Sequence, residues 1–495
     1  MENLQSPLEH DSQWFPRVRL YIYSAVFIYV FGQIWVYPTF VSPLRHLPTI
    51  KYSLCALKVG YDRRRPLQWM RTLPNSGLIH IYDSLLGVGF VFPTTYDATK
   101  DVLNNSTGFE KPPLLRRILS RILGDGLVAT EGLQHQQYRR LQNPAFAAKN
   151  VRQLHDIVWA QATLLLQQLQ QQLDTNPQPV NLSDWAHRFS LDTIALLATG
   201  HNMGVLVKPN KLSAMLYSAT EPSISKLCMF FTWVFTPRLE WLRYASLILL
   251  GVIRQAKLPT LKVTTKHENQ YLLSAVLGSP ELSDEEKLDQ LLTTVFAGNE
   301  TSNNAIVRCC DLLCRNPALQ ERLRDEIRAF IPSPSQKTAS ADQVESLSLL
   351  HGVVEEVLRL YPTIPTTLRV ALHDTCIQGM HIPKGTNIVV DFHGLNRDRA
   401  VWGQDADAFK PERWLDGDRR LVTHHGQTHL SFSSGAHNCI GREVARATIR
   451  CVIVALVGRF VMELVHPERE IQEAGASAMR SIHKVEIKLK PIEGW

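Results

Sequence analysis

Phe432-Ser-Ser-Gly435-Ala-His437-Asn-Cys439-Ile-Gly441 runs directly into a long apolar stretch, Arg442 to Phe460, and this junction decides how the chain is read. The apolar stretch reads as a helix, so Cys439 stands between two glycines at a helix N-terminus. Unpaired N–H groups and the positive end of the helix dipole lower a cysteine pKa there and hold the anion. Gly435 and Gly441 permit backbone conformations and a close approach that a Cβ would block, leaving room for a flat macrocycle against the loop. On these residues alone, a thiolate metal ligand and a buried structural cysteine both fit. The other cysteines, Cys55, Cys228, Cys309, Cys310, Cys314, Cys376 and Cys451, lack the CxxC pairs of a zinc site. They fit small buried hydrophobes in a reducing compartment.

Upstream, Ser283 to Cys314 reads as one long helix opened by a capping box of Ser283 with Glu286. Its middle, Ala297-Gly298-Asn299-Glu300-Thr301-Ser302, sets a glycine, a carboxylate and two hydroxyls in an apolar run, where glycine costs about 1 kcal/mol relative to alanine. Thr301 is placed to hydrogen-bond back to the carbonyl of Ala297 and bend the helix, which is one reason for such an insert; a proton path is another. Glu356 and Arg359 are one turn apart on a helix face, a spacing that by itself means no more than a surface ion pair. The pattern is helix-rich to about residue 360, with Leu169 and Leu173 marking an amphipathic face in a glutamine-rich run. Short strand candidates follow at Thr375 to Ile377, Asn387 to Asp391 and near Lys484 to Leu489. The expected fold class is mostly α with small β-sheets.

With 45% hydrophobic and 20% charged residues, this 495-residue chain is globular and not disordered, while its length permits several domains or one continuous core. A scattered net charge of +7 argues against nucleic acid as a partner. It leaves an ordinary solvated surface, or a basic face for an acidic redox partner or an anionic membrane. Leu20 to Tyr37 carries no charge and as a helix would span roughly 27 Å, close to a bilayer core. No small-residue cleavage site follows, so the run reads as a retained anchor, with Tyr21, Tyr23, Trp35 and Tyr37 near its ends. Arg17 and Arg19 precede it, whereas Arg45, Lys51, Lys58 and Arg63 to Arg65 follow, which puts the main domain on the cytoplasmic side. The expected division is an N-terminal tail 1–19, a transmembrane anchor 20–37, an extended connector 38–50 stiffened by Pro38, Pro43 and Pro48, and one domain 51–495. Leu227 to Phe235 is too short to span and fits a core helix or a surface element dipping into lipid.

The cysteine stretch resembles the cysteine-ligand loop of the cytochrome P-450 family: Phe, two residues, Gly, three residues, Cys, one residue, Gly. Phe432, Gly435, Cys439 and Gly441 fill every fixed position, and other motifs follow in the family's order from the anchor to the last helix. The resemblance implies the cytochrome P-450 fold behind one N-terminal transmembrane helix, with haem b (iron protoporphyrin IX) bound and Cys439 as the axial ligand of its iron. It implies that Glu300 and Thr301 are an acid-alcohol pair passing protons toward dioxygen while the thiolate favours O–O cleavage. It implies that Glu356, Arg359 and Arg413, the last in Pro411-Glu412-Arg413-Trp414, form a buried network under the loop. Arg369, Arg139, His135 and His437 are then expected on the haem propionates; a planar guanidinium at Arg369 suits a carboxylate. The family usually has arginine at His437 and tryptophan at His135, and a histidine keeps the hydrogen bond with a charge that depends on pH.

The implied activity is monooxygenation of an apolar small molecule of terpenoid, polyketide or alkaloid type in secondary-metabolite biosynthesis, as in microsomal fungal members of the family. O2 and NADPH would be co-substrates, with electrons arriving through NADPH-cytochrome P-450 reductase and the enzyme held single-pass in the endoplasmic reticulum membrane. Substrate contacts are expected around Phe109 to Leu123, Phe296 to Gly298 and Thr363 to Leu368. The alternatives are a haem isomerase or dehydratase without oxygen activation, against which Glu300 and Thr301 argue, and a non-catalytic haem-binding membrane protein. NADPH consumption that depends on reductase and substrate separates the last.

Overall fold

The computed structural model describes residues 14–51, 64–83, 88–209, 271–333, 338–415, 429–471, 473–474, 480–481 and 483–494. The Leu227 to Phe235 run, Cys55, Cys228, Lys58 and Arg63 lie outside the described residues.

The expected capping box is formed: Ser283 Oγ accepts from the Glu286 N–H at 3.2 Å and Glu286 Oε2 accepts from the Ser283 N–H at 2.9 Å. A cap of this kind is worth about 1 kcal/mol and starts the central helix, Asp284–Arg315, at the residue where the sequence places it. Midway along, this helix meets the Leu182–Thr199 helix so closely that a Cβ on Gly298 would lie 2.5 Å from Ile194 Cγ1. The glycine's low helix propensity is therefore offset by close packing. His155–Thr175, Ser348–Leu360 and the C-terminal helix Arg442–Arg459 complete the helical core, into which Phe189, Ile306, Val353 and Val454 are fully buried. Leu169 of the glutamine-rich run is part of this core and Leu173 packs against it.

A six-stranded sheet lies apart from the main helical core, in the order Thr49–Lys51, Leu78–Asp83, Val88–Pro93, Asn387–Asp391, Thr366–Ala371 and Phe109–Glu110. Leu78–Asp83 and Val88–Pro93 fall in a region expected to be helix-rich. Leu78 to Tyr82 are buried without interruption, so the run lacks the two-residue alternation that marks a half-exposed strand. Antiparallel pairing sets Arg369 opposite Ile388. A smaller sheet joins Phe460–Leu464, Glu486–Pro491 and Val180–Asn181, close to the strand expected near Lys484 to Leu489.

The N-terminal segment departs from the expected layout. An α-helix, Trp14–Phe31, continues without a break as a π-helix, Gly32–Val41, with Pro38 inside it. The Ser42 N–H donates to the Tyr37 carbonyl five residues back at 2.7 Å, and this wider winding accommodates the proline that was expected to stop the helix. Residues 38–50 are accordingly not an extended connector throughout; extended backbone begins at Thr49. Arg17 and Arg19 lie within the α-helix, and among the described residues no helix is long and apolar enough to cross a membrane.

Candidate active site

Two short turns, Leu430–Phe432 and Gly435–His437, shape the cysteine loop. The Cys439 N–H donates to the Phe432 carbonyl at 2.8 Å, and Ser433 and Gly435 take left-handed φ values of 59° and 71°. A Cβ on Gly435 would lie 2.2 Å from the Leu103 carbonyl oxygen, so the glycine is required by packing against the Tyr96–Asn104 helix. This is a reason for the glycine that the sequence did not show. Gly441 is different: a Cβ there would meet only Cys439 Sγ, at 4.0 Å.

Cys439 is exposed although protein encloses it. Burial pushes its thiol pKa up, against the Gly441 N–H and the charges of Arg139, Arg442 and Arg446, which pull it down. For the free thiol the expected lowering by the helix terminus is thus outweighed by burial. An exposed cysteine with three arginine charges and an N–H acting on its sulfur is one that a metal would take as thiolate.

Beside the loop lies a buried polar cluster. His437 Nε2 is 2.8 Å from Glu131 Oε2, Lys111 Nζ donates to Glu131 Oε1 at 2.7 Å, and the rings of His437 and His135 are 4.0 Å apart. Burial works to raise the Glu131 pKa, but the contact with His437 and the charge of Lys111 prevail and hold it at about 2. His135, on the Gly132–Gln142 helix, is buried and not a surface histidine; burial, then the charges of His437 and Lys111, push its pKa down to about 3. Arg139 of the same helix bonds the cysteine loop itself, its Nη1 donating to the Asn438 carbonyl at 2.6 Å and its Nη2 to the Asn438 side chain.

Arg369 is 3% exposed and, among the described residues, donates only to Thr367 Oγ1 and the Leu368 carbonyl, at 2.9 and 2.8 Å. No carboxylate among the described residues forms an ion pair with it, and burial lowers its pKa against the pull of Glu131. A buried charge without a partner is unfavourable by several kcal/mol. The site therefore fits an anionic group between Arg369 and the Lys111–His437 cluster, and a thiolate-seeking metal at Cys439. Haem carries both.

On the central helix, Glu300 is buried and its Oε1 accepts from Asn304 Nδ2 at 3.4 Å. Thr301 Oγ1 donates to the Ala297 carbonyl at 2.7 Å, the bond anticipated from the sequence, and keeps its lone pairs for a further donor. Below the loop, Arg359 Nε and Nη2 fork onto Glu356 Oε2 and Oε1 at 2.8 and 2.7 Å, with both side chains fully buried. Arg413 Nε reaches Glu356 Oε1 at 3.3 Å, and the Trp414 indole N–H donates to Glu356 Oε2 at 3.0 Å. Arg359 Nη1 also ties down the carbonyls of Asn396 and Ala406, both at 2.7 Å. This is a structural brace.

The sequence reading missed Lys111 and Glu131 in the polar cluster, and Glu355, Arg446 and His429 behind the loop. Arg446 sits 5.0 Å over the Phe432 ring and forks onto Glu355. For Glu355 and Arg446 a charge among the core-facing positions of a helix was the available signal, because such a charge needs a partner.

The family model for cytochrome P450 matches residues 82–490. Cytochrome P450 monooxygenase sphH of Aspergillus fumigatus is 30% identical over 497 residues, covering 94% of this chain and 91% of that protein. Cytochrome P450 monooxygenase buaD of Petromyces alliaceus is also 30% identical, with 98% and 96% covered. Cytochrome P450 monooxygenase ptmK of Penicillium ochrochloron is 29% identical, with 94% and 97% covered.

Proposed function

Because this chain belongs to the cytochrome P450 family and is one of its monooxygenases, we propose that it inserts one oxygen atom from O2 into an apolar small molecule of terpenoid, polyketide or alkaloid type. Two electrons come from NADPH through a reductase, and the second oxygen atom leaves as water. The observation that carries the reading is Cys439, an accessible sulfur enclosed by protein at the head of the Arg442–Arg459 helix. Haem, when bound, supplies the redox chemistry that activates dioxygen.

The chain's own residues do the rest. Cys439 holds the iron, and Arg369, Lys111 and His437 receive the propionates, with Glu131 fixing the last two. Arg139 secures the cysteine loop through Asn438. Glu300 and Thr301 pass protons along the central helix toward the reacting side. Release of the Thr301 hydroxyl from the Ala297 carbonyl frees a donor without breaking the helix ladder.

The membrane reading is part of the same proposal: a single N-terminal anchor over residues 20–37 in the endoplasmic reticulum, with the catalytic domain on the cytoplasmic side and the substrate drawn from lipid. The unbroken helical run from Trp14 to Val41 supports it, since Leu20, Ile22, Phe27, Ile28, Phe31, Trp35, Phe40 and Val41 are all exposed along it. A role in fungal specialised metabolism rests on analogy with the relatives.

In the test, the purified, reduced, CO-bound protein shows the red-shifted Soret band of a thiolate ligand, and Cys439→Ala abolishes it. An unchanged band in that variant refutes the ligand assignment. Comparison of metabolites by mass spectrometry with the enzyme absent and restored identifies the substrate.

A further inference from the structure

Glu355 and Glu356 are neighbours on the Ser348–Leu360 helix, so their side chains leave it about 100° apart. Glu356 enters the brace with Arg359, Arg413 and Trp414. Glu355 turns instead toward the start of the cysteine loop and the C-terminal helix. There Arg446 meets it as a fork: Nε donates to Oε1 at 2.8 Å and Nη2 to Oε2 at 2.7 Å. His429 Nε2 lies 3.0 Å from Glu355 Oε2, and Arg450 Nη2 lies 3.7 Å from Oε1. Glu355 is 2% exposed and Arg446 18%, so the pair is not a solvent-screened surface contact.

The fork touches the loop through rings and backbone. The Arg446 guanidinium covers Phe432, whose carbonyl accepts the Cys439 N–H. His429 packs against Phe432 at 5.9 Å and meets Trp414 edge-on at 5.8 Å, and Trp414 is the indole bound by Glu356. Two adjacent carboxylates therefore grip the approach to the loop from two directions. Burial works to raise the Glu355 pKa, yet His429 and Arg446 hold it well below the usual carboxylate range. Arg446 and Cys439 also act on each other electrostatically, the guanidinium favouring the thiolate.

We propose, resting on the haem-thiolate reading above, that Glu355 and Arg446 are positioning residues: a second clamp that fixes Phe432, and through it Cys439, and that holds one guanidinium charge over the Phe432 ring of the cysteine loop. A fixed cation there favours the added electron of reduced iron, so the clamp raises the reduction potential as well as holding the ligand.

The test uses the full-length holoprotein and the variants Arg446→Met, Arg446→Lys, Arg442→Met, Glu355→Gln and the double change Glu355→Gln with Arg446→Met. Arg446→Met is expected to give a several-fold larger share of reduced CO complex without the thiolate band, together with a more negative midpoint potential. Arg446→Lys restores most of the potential but only part of the band, because an ammonium brings the charge without the fork. Arg442→Met moves the potential less, since Arg442 is 52% exposed and water screens it. Should Arg446→Met fail to load haem, the double variant leaves no unpaired buried carboxylate and shows the same two shifts. A double variant with wild-type potential and a full thiolate band overturns the proposal. Absence of the thiolate band from the wild type overturns the monooxygenase reading instead. A double-mutant cycle on thermal unfolding of the full chain then decides the clamp, and strictly additive losses at Glu355 and Arg446 sink it.

Discussion

Replacing Arg369 by leucine is expected to weaken haem retention without destabilising the apoprotein, and the two signs together test what this arginine is for. In the fold Arg369 is 3% exposed and makes two hydrogen bonds, both to its own strand, with no ion pair among the described residues. Taking it away removes an uncompensated buried charge, which is favourable, and leaves the Leu368 carbonyl short of one donor, which costs about 1 kcal/mol. The apoprotein's unfolding midpoint should therefore stay level or rise. In the holoprotein the same side chain would donate charge-assisted bonds to a carboxylate, worth roughly 1.5–3 kcal/mol, so its loss should speed haem dissociation roughly 10- to 100-fold. Haem release is followed by transfer to an excess of apomyoglobin, and apoprotein stability by thermal unfolding after extraction of the haem. Unchanged release with a lower apoprotein midpoint would show that Arg369 serves the sheet and not the cofactor.

Thr301→Ala should fold with a loss under about 1 kcal/mol, because the Ala297 carbonyl it bonds already lies in the helix ladder, while peroxide released per NADPH rises several-fold. Tight coupling in that variant would remove Thr301 from proton delivery. Buried His80 has its pKa pushed down from 6.5 to about 4, chiefly by burial and then by His46, so the unfolded chain binds a proton that the folded chain refuses. Stability is therefore lost as pH falls below 6.5, by about 2 kcal/mol at pH 5 for one such group. His351, also held at about 4 by burial and by Arg450, adds a similar loss. His80→Leu should narrow the stability difference between pH 8 and pH 5 by about 2 kcal/mol in urea titrations. An equal difference in both proteins would mean that His80 is charged in the folded state.

What was legible in the sequence was whatever a short segment decides by itself. The Ser283 and Glu286 cap and the bond from Thr301 to Ala297 both close within about four residues, and each stands where local chemistry placed it, whereas the packing of Gly435 against the Leu103 carbonyl was set by a distant helix. The continuous burial of Leu78 to Tyr82 was not legible, since strands covered on both faces lose their alternation. Nor could the sequence pair Lys111 with His437 or Arg446 with Glu355, whose separations along the chain are 326 and 91 residues. Yet Glu355, Arg446 and Arg450 each stand on a helix that contributes many buried apolar residues to the core. A charge on a buried face is tolerated only with a partner, so such residues state that a pair exists while leaving its identity to helix packing. Two of them four residues apart, as at Arg446 and Arg450, point to one face, and the carboxylate owed to that face must come from the element packed against it. Glu355 meets that requirement because Glu356 beside it is already committed to Arg359.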